Sequence, residues 1–158
     1  MIYKKEDYID KVAEFHELFD SQVIGCPRLP TPVRAELRVS LIQEELNELK
    51  LAFAKGDIVE VADALADLQY VLTGTVLECG MHHKFQELFD EVHRSNMTKA
   101  CKNYDEALRT QDKYHKEGVA TFRKRRDGKI IICRSSDNKV LKNINYKPVN
   151  LTKILNNE

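Results

Sequence analysis

The sequence predicts an all-α fold, a helical bundle of four to five helices with a small C-terminal β-hairpin and tail. Three observations predict it. Apolar residues recur at spacings of three and four through most of the first hundred positions. Gly and Pro interrupt those runs at helix-length intervals. Only after Arg126 does a β-prone stretch, DGKIIICRSSDNKVLK, break the helical period. Residues 1–100 are expected to form the helical core, and residues 101–158 a C-terminal extension of the same domain.

The first helix is expected from Tyr3 to Phe19, with Tyr8, Val12, Phe15 and Phe19 on one face and His16 beside it, partly exposed. Gly25, Pro27, Pro30 and Pro32 end it. Thr31 then offers an N-cap with proline at the first helical position, so a second helix runs to about Ala54. Its Arg34 and Arg38 read foremost as ion-pair partners of nearby carboxylates, and Arg38 is also a candidate for triphosphate oxygens. After the Gly56-Asp57 break a third helix extends from Ile58 to Cys79 and stops at Gly80, with Gly74 placed for close approach of another helix. A fourth, Lys84 to Thr98, carries Phe85, Leu88, Phe89 and Val92 on one side. A further helix fits Asn103 to Glu117. The stretch from Asp127 to Lys142 reads as two short strands around a Ser/Asp/Asn turn, and Leu151 to Leu155 as part of an arm packed on the body or a neighbouring subunit. The run Arg123 to Arg126 is expected to be solvated.

Composition narrows the function. A chain of 158 residues fits one domain. With zero net charge and 32% charged residues it shows no overall excess that would call for nucleic acid or an anionic membrane, and neither is expected as a partner. Cys26, Cys79, Cys101 and Cys133 have no zinc-ligand spacing and are expected to be reduced thiols. The N-terminal stretch MIYKKEDYIDKVAEF mixes charged and apolar residues, unlike a signal peptide, and no apolar run is long enough to span a bilayer. A soluble, cytoplasmic protein is the expectation.

The chemistry concentrates between Glu44 and Asp67. Glu45 and Glu48 lie three residues apart on the second helix, and Glu60 and Asp63 three apart on the third, so each pair shares one side of its helix. Glu45 and Glu48 interrupt the stripe of Leu37, Leu41, Leu49 and Ala52, and Asp67 extends the side of Glu60 and Asp63 by one turn. Acids at core-facing positions, rather than on a solvated face, need compensation, because burying ionised carboxylates together is costly. An all-oxygen set of this kind suits Mg2+, and Mn2+ as a substitute.

The spacing ExxE, a short interval, then ExxD resembles the signature of the MazG-like all-α NTP pyrophosphatases, a superfamily that includes dimeric dUTPases and phosphoribosyl-ATP pyrophosphohydrolases. The strings EVADALADLQYVLTGTVLECG and FQELFDEVHRSNMTK are similar to the phosphoribosyl-ATP pyrophosphohydrolase-like branch. The resemblance implies that Glu45, Glu48, Glu60 and Asp63 are metal ligands and that Asn96 and Lys99 hold nucleotide or phosphate. It also implies a homodimer or dimer of dimers that cleaves a nucleoside triphosphate between its α- and β-phosphates, in nucleotide-pool house-cleaning. Val71 stands where phosphoribosyl-ATP enzymes tend to have histidine, which counts against that substrate. Within this frame Glu44 is the candidate to orient or deprotonate water, Lys99 and Arg38 to balance phosphate charge, and Asp67 to support the ligands. Tyr70 reads as core rather than as a stacking residue. The competing readings are a phosphoribosyl-ATP pyrophosphohydrolase with the same site, and a non-catalytic helical interaction module whose acids pair with basic groups.

Overall fold

A computed structural model describes residues 8–156, so the expected first turn from Tyr3 lies outside the described residues. The fold is mostly helical with one two-stranded antiparallel hairpin, as the sequence predicts. The chain forms two compact units, one up to Phe85 and one from Gln86.

The first unit holds α1 (Tyr8–Leu18), α2 (Pro32–Lys55) and α3 (Ile58–Glu78). Both α1 and α2 pack along α3, with Val12, Ala52, Val61, Ala64, Val76 and Leu77 buried. The caps explain the boundaries. Thr31 Oγ1 accepts from the Arg34 amide, and Pro32 takes the position where a backbone N–H has no partner. At the other end Gly56 adopts φ 69°, a conformation that lets its amide close on the Ala52 and Phe53 carbonyls. Asp57 caps α3 at once, accepting from the amides of Val59 and Glu60. The joint is therefore two residues long, and α2 and α3 run back along each other as an antiparallel pair. That pairing sets the Glu45 turn of α2 beside α3.

The second unit holds all but the first residue of α4 (Phe85–Met97), with α5 (Tyr104–Lys116), β1 (Thr121–Arg126), β2 (Lys129–Arg134) and a short α6 (Thr152–Asn156). Its core is Cys101, Ala107, Ile130, Ile132 and Leu141, flanked by Tyr114 and Val119. The regular hairpin begins one strand earlier than the sequence reading placed it. Its turn is Asp127-Gly128, and the strands are TFRKRR and KIIICR, paired from Thr121↔Arg134 to Arg126↔Lys129. Both turn residues have positive φ, 47° and 72°, the conformation a tight hairpin needs and one that Asp-Gly adopts readily. The Ser/Asp/Asn segment does turn the chain back on β2 as expected, through the bridge Cys133↔Val140 and the backbone bonds from Arg134 N to the Lys139 carbonyl and from Leu141 N to the Ile132 carbonyl. The following segment does pack on its own unit: Ser95 Oγ bonds the Tyr146 hydroxyl at 2.8 Å and donates to the Lys147 carbonyl at 2.9 Å. Asn143 Nδ2 donates to the carbonyls of Thr98 and Ala100. All four cysteines are free thiols. Among the described residues no helix is long and apolar enough to cross a membrane.

Candidate active site

On the paired α2 and α3, Glu45 is the acid the fold treats differently from the rest. It follows Arg38, Leu41 and Ile42 along the side of α2 that turns toward α3, and it is only half-exposed. Its Oε2 is buried with no hydrogen-bond partner among the described residues. Burial raises its carboxyl above the usual range, and the charges of Asp67, Glu48, Glu44 and Asp63 push it further the same way. One helix turn is about 5.4 Å, so acids from both helices within a turn or so of Glu45 share its field.

The other acids differ from expectation. Glu48, Glu60, Asp63 and Asp67 are exposed in the single chain, so only Glu45 interrupts a packed face. The reason lies on α3, where Val61 and Ala64 make the buried contact and Glu60, Asp63 and Asp67 fall on the flank beside it. Glu60, in the first turn of α3, is absent from the charges that act on Glu45, whereas Asp67 leads them. Among the described residues no three His, Cys, Asp or Glu side chains stand close enough together to grip a metal ion as they are. The donor set nevertheless suits a hard divalent cation. It is all oxygen and anionic, and one member is a desolvated carboxylate oxygen that lacks any donor.

Two to three turns along the pair lies a buried network whose acid, Glu78, the sequence reading did not single out. Glu78, 1% exposed, sits between both arginines of α2. Arg34 Nε donates to Oε2 at 3.0 Å and Arg38 Nε to Oε1 at 2.7 Å, and the Nη2 groups of both arginines also reach Oε1. The ion-pair reading of Arg34 and Arg38 is thus what the structure holds. Arg38 is 8% exposed, and its guanidinium is engaged rather than presented to solvent. Burial alone would raise the Glu78 carboxyl; the hydrogen bonds and charges of Arg34 and Arg38 reverse that and hold it below its ordinary range. His16, expected to be partly exposed, is 2% exposed. Its Nδ1 bonds the Gln22 carbonyl at 2.9 Å, which makes Nδ1 the protonated nitrogen and leaves Nε2 to accept from Arg38 Nη2 at 3.5 Å.

Gly74 of α3 makes room for this network. A β-carbon there would lie 2.8 Å from Arg38 Nη1 and 3.0 Å from His16 Nε2. Gly74→Ala should therefore lower stability by a net ~1–2 kcal/mol, overpacking outweighing the helix propensity gained, and thermal melting of the full chain checks it. A melting temperature equal to or above that of the parent chain would contradict the close packing.

Beside the network a cavity of about 300 Å3 opens between α1, α2 and α3, lined by Phe15, His16, Arg38, Leu41, Tyr70 and Val71 among others. Leu41 lies one turn before Glu45, and Tyr70 and Val71 lie one turn after Asp67, so the cavity adjoins the acids along both helices. Tyr70, expected in the core, is instead 39% exposed at this mouth and meets Phe15 edge to face at 5.6 Å. Asn96 and Lys99 belong to the second unit, Asn96 exposed in α4 and Lys99 half-buried in the turn that follows it.

Paired helices that carry acids at ExxE and ExxD spacing beside a cavity agree with the class of the all-α pyrophosphohydrolases, to which the family comparison assigns the chain. The chain belongs to the phosphoribosyl-ATP pyrophosphohydrolase family, whose family model matches residues 12–96, within the MazG-like all-α NTP pyrophosphatase superfamily. Members of that class are hydrolases acting on acid anhydrides. The chain is also similar to the uncharacterized protein L479 of Acanthamoeba polyphaga mimivirus, with 30% identity over 125 residues, 74% of this chain and 48% of the relative. It therefore spans about half the length of the curated relative it matches.

Proposed function

We propose that this protein is a Mg2+-dependent nucleoside triphosphate pyrophosphohydrolase that cleaves an NTP or dNTP between its α- and β-phosphates, giving the monophosphate and pyrophosphate. The observation that carries the reading is Glu45, a carboxylate with a buried, unpartnered oxygen in the field of four further acids. In a chain of a pyrophosphohydrolase family such a group supports a meeting point for a cation and a polyphosphate. Glu45, Glu48, Glu60 and Asp63 hold the ion, with Asp67 supporting them. When bound, Mg2+ neutralises triphosphate oxygens and lowers the pKa of water.

The rest falls to the chain. Glu44, exposed and adjacent to Glu45, takes the proton of the attacking water. The water oxygen ends on phosphorus, and the α–β bridging P–O bond breaks. Arg38 acts through Glu78 and His16, holding the wall of the cavity, rather than by touching phosphate. The cavity beside the acids takes the base and sugar, its aromatic groups Phe15 and Tyr70 at the mouth. Asn96 and Lys99 keep the nucleotide- and phosphate-holding roles that family membership suggests. Tyr70→Ala should raise KM several-fold with kcat nearly unchanged, because it removes binding common to ground and transition states. A fall in kcat alone would place Tyr70 elsewhere.

The acid-bearing helix pair also leaves Leu46, Leu51, Phe53, Ile58, Val59 and Leu65 exposed, more apolar surface than a lone soluble unit usually shows. A second copy of this chain covers it, as a homodimer or dimer of dimers, which light scattering on the purified protein tests.

Pyrophosphate release from a panel of NTPs and dNTPs with Mg2+ or Mn2+ tests the activity. Phosphoribosyl-ATP belongs in the same panel, since the family description favours it while Val71 does not. Turnover of phosphoribosyl-ATP alone would replace the proposed substrate. Absence of any turnover, together with no rise in melting temperature on adding the cation, would leave a helical interaction module.

A further inference from the structure

A neutral total hides a charge split. Residues 1–100 carry 11 Lys and Arg against 18 Asp and Glu, and residues 101–158 carry 14 against 7, so the chain divides into −7 and +7. The positive excess has a focus at β1. Arg123, Lys124, Arg125 and Arg126 are consecutive and exposed, and none of them is in an ion pair among the described residues. Some cations of the same unit do find acids: Arg134 takes Asp137, Arg109 takes Asp105 and Lys113 takes Glu117, whereas Lys129, opposite Arg126, adds to the charge at the turn that is unpaired among the described residues.

Strand geometry then sorts the four. Alternate residues face opposite ways, so Arg123 and Arg125 share one face and Lys124 and Arg126 the other. The side of β2 away from β1 is occupied by the bridges Cys101↔Ile130 and Cys133↔Val140, whereas among the described residues β1 pairs with β2 alone. The basic strand is therefore the open edge of the sheet. On the first face the Arg123 guanidinium lies over the Tyr104 ring, 4.8 Å from its centre. There, Tyr104, Arg123, Lys124, Arg125 and Ile130 line a concavity of about 230 Å3. A second concavity, about 510 Å3, is lined by Lys124, Arg125 and Arg126 with Ile131, Cys133 and Val140.

Charges on an edge strand commonly serve only to block strand addition. One or two cations do that. Four unpaired cations on both faces, an aromatic ring carrying a guanidinium, and hollows on either side are the parts from which single-stranded nucleic acid sites are built: cations along the backbone and a planar platform for a base. A flat bilayer would meet such a strand on one side only.

We infer that the β1 edge of the hairpin is a binding face for single-stranded nucleic acid, with Arg123, Lys124, Arg125 and Arg126 on phosphates and Tyr104 with Arg123 as the stacking platform. This site does not depend on the pyrophosphohydrolase reading. The full chain is titrated into a labelled single-stranded oligonucleotide of about 12 nucleotides, at salt from about 50 mM upward, and followed by fluorescence anisotropy. Binding is expected, with log K against log salt of slope roughly −2.8 for four neutralised phosphates. Lys124→Glu with Arg126→Glu should weaken it at least about tenfold, and Tyr104→Ala about tenfold. Arg125→Lys with Arg126→Lys, which keeps the charge, should bind within about threefold of the parent chain.

No anisotropy change, equal binding by the charge-reversed chain, or complete displacement by a mononucleotide would overturn the inference. So would binding to phosphatidylserine vesicles with none to the oligonucleotide. The salt slope of the unaltered chain and the lysine variant decide the matter even where charge reversal prevents folding.

Discussion

Glu45→Gln is expected to abolish most pyrophosphate release while leaving the metal-free protein at least as stable as the parent chain. The two effects have opposite signs for one reason. Glu45 is half-buried, one of its oxygens lacks a partner, and neighbouring acids oppose its charge. A carboxylate whose folded-state pKa is raised stabilises the fold only when protonated: its contribution is greatest at low pH and is lost as pH rises through the raised value. Glutamine removes that charge without changing the volume, so at neutral pH the fold is relieved. Activity follows the other way, because the same charge is what holds the cation. Loss of a metal-holding carboxylate should reduce kcat/KM by on the order of 100-fold or more, as should Glu48→Ala and Asp63→Ala. The rise in melting temperature with Mg2+ should shrink in each variant. Activity retained in Glu45→Gln would end the metal-site reading, and a variant that is unfolded without metal would contradict the desolvated-carboxylate account of its stability.

Much of this was legible in the sequence, and the exceptions share a cause. Helices α2 and α3 could be bounded from Thr31-Pro32, Gly56-Asp57 and Gly80, because caps act within a few residues of the ends they close. The Ser/Asp/Asn turn is legible, but the β1 strand is not, because isoleucines and that polar cluster outweigh Asp127-Gly128, although that pair is the stronger turn signal and RKRR directly precedes it. Side-chain burial was less legible. Glu48, Glu60, Asp63 and Asp67 share helix faces with apolar residues, but which flank of a helix is covered depends on its neighbours, and here α3 buries Val61 and Ala64 beside them. The partner of Arg34 and Arg38 was likewise hidden. Glu78 lies 44 and 40 residues away, on the far end of the next helix, and only antiparallel pairing brings it back. The signal was there in TVLECG, a lone acid in an apolar run at a helix end.

That buried triad supports the largest stability effect. Glu78→Ala leaves the Arg38 guanidinium, 9% exposed, without its anion, and Arg34 without a partner that holds two of its nitrogens. Breaking a buried pair by removing one member costs ~3–5 kcal/mol, far more than the pair contributes net, because the remaining charge stays desolvated. For a chain of this length that corresponds to a melting temperature lower by roughly 10 °C or more. The pH dependence has a definite sign. The folded-state pKa of Glu78 is lowered, so its stabilisation is fully present above the ordinary glutamate value, near 4.5, and is lost as pH falls through the lower folded value. The parent chain should therefore lose stability in acid below about pH 4.5 more steeply than Glu78→Ala does. Replacing the two buried members, Glu78→Leu with Arg38→Met, should recover most of the loss, since an apolar pair of similar volume carries no desolvated charge and the Arg34 side chain, 28% exposed, can turn to water. Unfolding in urea at neutral and acid pH measures all three chains. A double variant no more stable than Glu78→Ala would show that the arginine side holds the helices by something other than charge.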